Sequence, residues 1–173
     1  DNLLFPNGVC LAHDQRHLLV ASTWDCSVLA FDLENLKAGP RVLVSGLPGY
    51  PDNINRASDG GYWLALAGMR NPVIDLAMKH PGVRRRMTRR VPPTNWLFGN
   101  LNIGGVLKLD ASGGVKDAFW DRPDGPLYMI TSMREHRGAL YLGGVTNDKI
   151  GRIALSGMDP DWTGPRSYDE ARS

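Results

Sequence analysis

Cysteine is scarce in this 173-residue chain, which has only two, Cys10 in an apolar strand and Cys26 in a turn. Their spacing matches no metal motif, and a disulfide between them or two free thiols both stay open. Long hydrophobic runs are also missing. No stretch approaches the roughly 20 apolar residues that a helix needs to cross a bilayer, and no signal-peptide pattern opens the chain. The first residues already read as the lead into a strand, so the natural N-terminus is expected upstream. A dominant charge is absent too. The net charge is +2, so no global basic field argues for nucleic acid. With 42% hydrophobic and 22% charged residues, nothing points to disorder, and the length suits one domain with a real core.

What is present is repetition. Leu18-Leu19-Val20-Ala21, Tyr62-Trp63-Leu64-Ala65 and Leu140-Tyr141-Leu142-Gly143 are similar strands, each preceded by a polar turn, separated first by 44 and then by 78 residues. The second interval is longer by about one segment, Met69 to Asn102, which does not read as strand; without it the period is restored. The first unit predicts strands over Gly8–Ala12, Leu18–Ser22, Ser27–Leu33 and Pro40–Ser45, and the second over Ile54–Ala57, Tyr62–Ala67, Gly105–Asp110 and Val115–Trp120. Four antiparallel strands in a period of about 40 to 50 residues make a β-propeller blade. The third unit supplies three, Leu127–Ser132, Ala139–Gly143 and Gly151–Leu155, and lacks its outermost strand.

The fold class expected is therefore all-β, about three blades forming the C-terminal half of a larger propeller. The N-terminal half is missing from this sequence and would supply the outer strand that closes the ring. A different, complete β-sandwich is the alternative. Residues 1–155 form the partial propeller, with blades at roughly 1–49, 50–123 and 124–155, and 156–173 form a polar tail. The insertion at about 69–102 is read as two short helices. Pro72 starts the first, whose apolar face is Val73, Ile74, Leu76 and Ala77; Pro81-Gly82 breaks it, and the second carries arginines until Val91-Pro92-Pro93.

Two motifs hold most of the chemistry. Phe5-Pro6-Asn7-Gly8-Val9 and Tyr50-Pro51-Asp52-Asn53-Ile54 both set amide or carboxylate groups at the start of a blade's first strand. That strand lines the central channel of a propeller, so Asn7, Asp52 and Asn53 converge on the axis, with Thr131 and Ser132 on the corresponding strand of the third unit. Oxygen-only donors favour Ca²⁺, or another hard divalent cation, over Zn²⁺. Taken singly, each motif is equally readable as turn chemistry.

These motifs, with Leu47-Pro48-Gly49 before the second, Gly60-Gly61-Tyr62-Trp63 after it and Glu135-His136-Arg137-Gly138-Ala139-Leu140-Tyr141-Leu142-Gly143, resemble the six-bladed propellers of the strictosidine synthase-like and gluconolactonase group. The likeness points to the branch that holds the adipocyte plasma membrane-associated protein. Paraoxonases share the Asn-Gly and Asp-Asn-Ile elements. The resemblance implies a channel Ca²⁺ held by Asn7, Asp52 and, in the paraoxonase manner, Asn53. It implies a hydrolase of esters or lactones, arylesterase- or lactonase-like, with Asp52 first a ligand and also the catalytic candidate as proton acceptor. The alternative is a non-catalytic propeller that binds a ligand or partner and keeps a structural calcium. Strictosidine synthase-type condensation is disfavoured, because the glutamate it uses would fall near Thr131.

Four histidines sit away from these motifs, His13, His17 and His136 beside turns and His80 in the insertion, and read as solvated or structural. Ser132 has no positioned partner for a triad. Arg84, Arg85, Arg86, Arg89 and Arg90 fall within seven residues. They read as a solvated face or as a contact for a membrane surface or acidic ligand. No aromatic residue interleaves them, so nucleic acid is not expected. Trp96 and Phe98 are read as an apolar wall near the channel entrance, and Trp24, Trp63 and Trp120 as packing between blades. The compartment stays undetermined, with an extracytoplasmic or membrane-associated setting favoured.

Overall fold

The computed structural model describes residues 3–92, 95, 103–122, 125–145 and 147–165. Strands β1 (Pro6–Leu11), β2 (His17–Ser22), β3 (Ser27–Asp32) and β4 (Arg41–Val44) form one antiparallel sheet in that order. Strands β5 (Gly49–Arg56), β6 (Tyr62–Met69), β7 (Gly105–Leu109) and β8 (Val115–Trp120) form a second. The third holds β9 (Ile130–His136), β10 (Ala139–Gly144) and β11 (Gly151–Ala154). Each sheet is a meander from an inner to an outer strand, the form of a propeller blade. The inner strands differ most from expectation: β5 begins five residues before the predicted start and β9 three residues after.

Side-chain alternation explains the stacking. Along β6, Tyr62, Leu64 and Leu66 enter a core with Leu19, Ala21, Val28 and Ala30 of the first sheet. The intervening Trp63 and Ala65 enter a second core with Ile130, Met133, Leu140 and Leu142 of the third. Because the middle blade is buried on both faces, its strand is a continuous apolar run where a one-sided strand would alternate. Each large side chain so buried contributes roughly 1.5–3 kcal/mol. Trp63 also donates its indole N–H to Glu135 Oε2 at 2.7 Å beside the second core, whereas Glu135 Oε1 is buried without a hydrogen-bond partner among the described residues. Trp24 packs edge-on to Tyr50 as expected, whereas Trp120 is 38% exposed. It lies on the outermost strand, where its ring covers Gly105 and lines a hollow with Ile130, Leu142 and Ile153 of the third sheet.

The insertion contributes helices α1 (Pro72–Lys79) and α2 (Pro81–Arg90), with the proline break starting α2. Asn71 caps α1 by accepting from the Val73 amide at 2.7 Å. The face buried is narrower than the sequence suggested. Ile74 enters the first core and Ala77 is buried, whereas Val73 and Leu76 are exposed. Trp96 and Phe98 lie outside the described residues. The polar tail is tied down over its first part: the Arg137 amide donates to Trp162 O at 2.7 Å and the Asp159 amide to Ser58 Oγ at 3.2 Å. Cys10 and Cys26 are free thiols, and burial pushes the Cys26 thiol up to about 11.

Candidate functional site

The two opening motifs are β-bulges. Pro6 pairs with Ser22 and Val9 with Val20, so Asn7 and Gly8 together face one residue of β2. In the next blade Pro51 pairs with Leu66 and Ile54 with Leu64, so Asp52 and Asn53 face one residue of β6. The third blade repeats the irregularity at Thr131, between the pairs of Ile130 with Gly144 and Ser132 with Gly143. A bulge inserts a residue, bends the strand and re-aims its side chains. Proline, which cannot donate to a ladder, is tolerated at such a point, and the first two bulges follow Pro6 and Pro51. That signal was available in the sequence, since Pro followed by Asn-Gly or Asp-Asn before an apolar strand marks a bulge as well as a turn.

The bulges bring the blades together. A Cβ on Gly8 would stand 2.4 Å from the Asp52 carbonyl oxygen and 2.5 Å from Asn53 Cα, so only glycine lets β1 lie this close to β5. Asn7 thereby lies near enough to the Asp52 carboxylate to lower its pKa against the effect of burial. Asn53 Nδ2 donates to Asp52 Oδ1 at 3.2 Å and to the Thr131 carbonyl of the third blade at 2.8 Å. Two residues on, Asn55 Nδ2 donates to the Met133 carbonyl at 2.8 Å, and on the other side Thr23 Oγ1 donates to the Pro51 carbonyl at 2.8 Å. Main-chain carbonyls of one blade's inner strand are thus used to join it to the adjacent blade.

Three predicted site residues therefore meet at one place. Asp52 is half-buried, and burial pushes its carboxyl up to about 6 against the opposing effect of Asn7. The ion pairs of the described residues all involve other carboxylates. A carboxylate held partly out of water beside two amides suits a cation that would offset its charge. The donors are hard oxygens, and the Thr131 contact fixes which end of the Asn53 amide is nitrogen, leaving Oδ1 as its acceptor. The donor set fits Ca²⁺ as part of a sphere of roughly six to eight oxygens.

Thr131 and Ser132 fare differently. Thr131 enters through its main-chain carbonyl. Ser132 is exposed with its hydroxyl against Gly143, on the opposite side of the strand. The histidines stand in other roles. His13 Nε2 is 3.0 Å from the Gly61 carbonyl, His17 Nδ1 is 2.7 Å from Asp14 Oδ2, His136 stacks near Tyr141, and His80 links α1 to α2.

The insertion stands at the same end of the sheets as the bulges. Met69, from which it departs, pairs with Gly49, three residues before Asp52. The Tyr50 hydroxyl accepts from the Asn71 amide at 2.9 Å, tying the start of α1 to the strand that carries the site.

Comparison with known proteins places this geometry in context. No family model matches the chain. It is 32% identical over 164 residues to the adipocyte plasma membrane-associated protein of Mus musculus, covering 91% of this chain and 39% of that protein. It is 32% identical over 148 residues to the strictosidine synthase-like 10 protein of Arabidopsis thaliana, covering 83% and 39%. The chain thus spans about two fifths of the length of the curated relatives it matches. Among solved structures it superposes on a luciferin-regenerating enzyme with TM-score 0.56 at 14% identity, covering 95% of this chain and 49% of that one. A candidate gluconolactonase gives 0.51 at 15% identity, covering 91% and 40%, and a streptogramin B lyase gives 0.51 at 16%, covering 93% and 41%. At such identities these structures establish the fold, a partial propeller.

Proposed function

We propose, from the chain's similarity to the adipocyte plasma membrane-associated and strictosidine synthase-like proteins and from its propeller fold, that it forms part of a calcium-dependent hydrolase of esters or lactones whose reaction centre is the Asp52 site. The observation that carries this reading is the meeting of Asn7, Asp52 and Asn53 on two adjacent bulges around a carboxyl pushed up to about 6. A bound Ca²⁺ supplies Lewis acidity, polarising a carbonyl oxygen and offsetting the charge that develops on it. Asp52 and the amide oxygens of Asn7 and Asn53 would hold the ion. The Thr131 carbonyl keeps the Asn53 amide from rotating, and Gly8 keeps Asn7 within reach of Asp52. With no cation beside it a carboxyl near 6 is already mostly ionised at pH 7, and a bound cation would lower that value further, so Asp52 acts first as a ligand. Oxygen ligands beyond these three residues would come from other blades.

A second reading has its own support. Asp52 is the one titratable side chain among the described residues of the site, and the same carboxylate would have to hold the ion and take the proton. A propeller that binds a ligand or partner and keeps calcium for structure needs it only for the first.

Hydrolysis of an aryl ester and a simple lactone by the complete protein, with and without a calcium chelator, separates the two. The hydrolase reading expects chelation and Asp52→Ala each to lower kcat/KM by about 100-fold or more. Undiminished turnover after both would sink it. Calcium retention by calorimetry with no turnover would favour the structural role.

A further inference from the structure

The site absorbs none of the arginines of α2, and their setting carries an inference that is independent of the hydrolase reading. No acidic residue occurs between Asp75 and Asp110, a stretch that holds all five clustered arginines. Asp75 itself is engaged by Arg70, Nε to Oδ2 at 2.6 Å. Helix α2 buries no residue. Arg84 points back at α1, its Nη1 3.8 Å from Met78 Sδ, while Arg85, Arg86, Arg89 and Arg90 are exposed. At 100° per residue these four cover one broad arc, and Val83, Met87 and Val91, spaced i, i+4, i+8, form a stripe along its edge. Val83, Met87 and Val91 line a surface hollow of about 630 Å³ together with Arg86 and Arg90. On α1, Val73 and Leu76 are 53% and 51% exposed.

We infer that the α1–α2 hairpin is a docking surface for an anionic lipid bilayer. A site for a small free anion would draw arginines inward onto one point. Here Arg85, Arg86, Arg89 and Arg90 are spread around an open, solvent-exposed hollow beside a partly exposed apolar stripe, the arrangement of a helix lying in a membrane interface, with cations at the headgroups and apolar side chains below them. The hairpin is anchored beside the bulges through Tyr50 and Asn71, so docking presents that end of the sheets to the bilayer. An apolar molecule leaving the membrane would then meet the Asp52 end of the channel first.

Cosedimentation of the complete protein with phosphatidylcholine vesicles, with and without phosphatidylserine, tests this. Binding is expected only with phosphatidylserine and should weaken as salt rises. Arg86→Ala with Arg90→Ala should lower the partition coefficient about 30-fold, at roughly fivefold per arginine. Met87→Ser, which leaves the charge unchanged, should lower it further. Helix α2 buries nothing, so these variants are expected to keep the wild-type circular dichroism. The inference is overturned by equal binding to pure phosphatidylcholine, by no binding at all, or by variants that bind like the wild type. Displacement by inorganic phosphate at constant ionic strength would assign the arginines to a free anion, and preferential binding of a single-stranded oligonucleotide would assign them to nucleic acid. Either result overturns the bilayer.

Discussion

The bulges of β1, β5 and β9 and the helix α2 lie at the same end of the sheets, and they are built in opposite ways. At the bulges the side chains are turned onto neighbouring blades: Asn53 and Asn55 to carbonyls of the next blade, Asn7 toward Asp52, and Gly8 to an approach that admits no side chain. On α2 nothing is buried, and four of the five arginines face outward. Substitutions in the first region act through the fold and the site together. In the second they leave the fold intact and change what the surface attracts.

One substitution applied in both regions gives the largest contrast. Gly8→Ala forces a Cβ to within 2.4 Å of a main-chain oxygen, and should destabilise the protein by about 3 kcal/mol or more as β1 is pushed off β5. Denaturant midpoints read this directly, and an unchanged midpoint would mean that β1 does not lie on β5 as described. Next, Asn55→Ala should cost about 1–2 kcal/mol by leaving the Met133 carbonyl unpaired. Asn55 takes no part in the donor set, so ester or lactone turnover should survive, whereas Asn53→Ala should lose both stability and calcium affinity. A parallel loss of calcium affinity in both variants would erase the distinction between clamp and ligand.

The pH dependence is a third, comparable effect. The Asp52 carboxyl has a folded value of about 6 against 3.8 in the unfolded chain, so between those values the folded state holds the proton more tightly. Its contribution to stability is present below about 3.8 and lost as pH rises through about 6. In chelator, Asp52→Asn should therefore gain on the wild type by about 1–2 kcal/mol between pH 4 and pH 7, a figure reduced for screening at a half-exposed group. A constant difference across that range would show that burial does not raise this carboxyl. The smallest effect completes the comparison. Gly82→Ala in α2 meets no atom within 4 Å, and should stabilise by up to about 1 kcal/mol through the lost freedom of the unfolded chain.

The blade pattern was legible because strands that repeat with the same turn chemistry leave a period in the sequence, and removing Met69 to Asn102 exposed it. The blade-order strands from β1 to β11 follow that reading with shifts mainly at β5 and β9. The two shifts have opposite signs. At β5 hydrophobic alternation says nothing about the bulged, polar Asp52 and Asn53 that still belong to the ladder, whereas at β9 apolar residues from Leu127 precede the ladder, which starts only at Ile130. Alternation likewise could not show Thr131's part, which is a main-chain carbonyl that any residue could supply. Trp120 was read as packing between blades; on the outermost strand of its sheet it is 38% exposed and borders a hollow shared with the third sheet.

By itself the sequence determined the all-β repeat, the pairing of amide and carboxylate residues at the start of two strands, and the isolation of five arginines in an insertion. These are local properties, set by residue order and spacing. The tertiary structure decided that Asn7 reaches Asp52, that Asn53 is held by the next blade, and that α2 buries nothing. Each of those depends on how closely separate sheets approach, a distance fixed by packing between residues far apart in the chain.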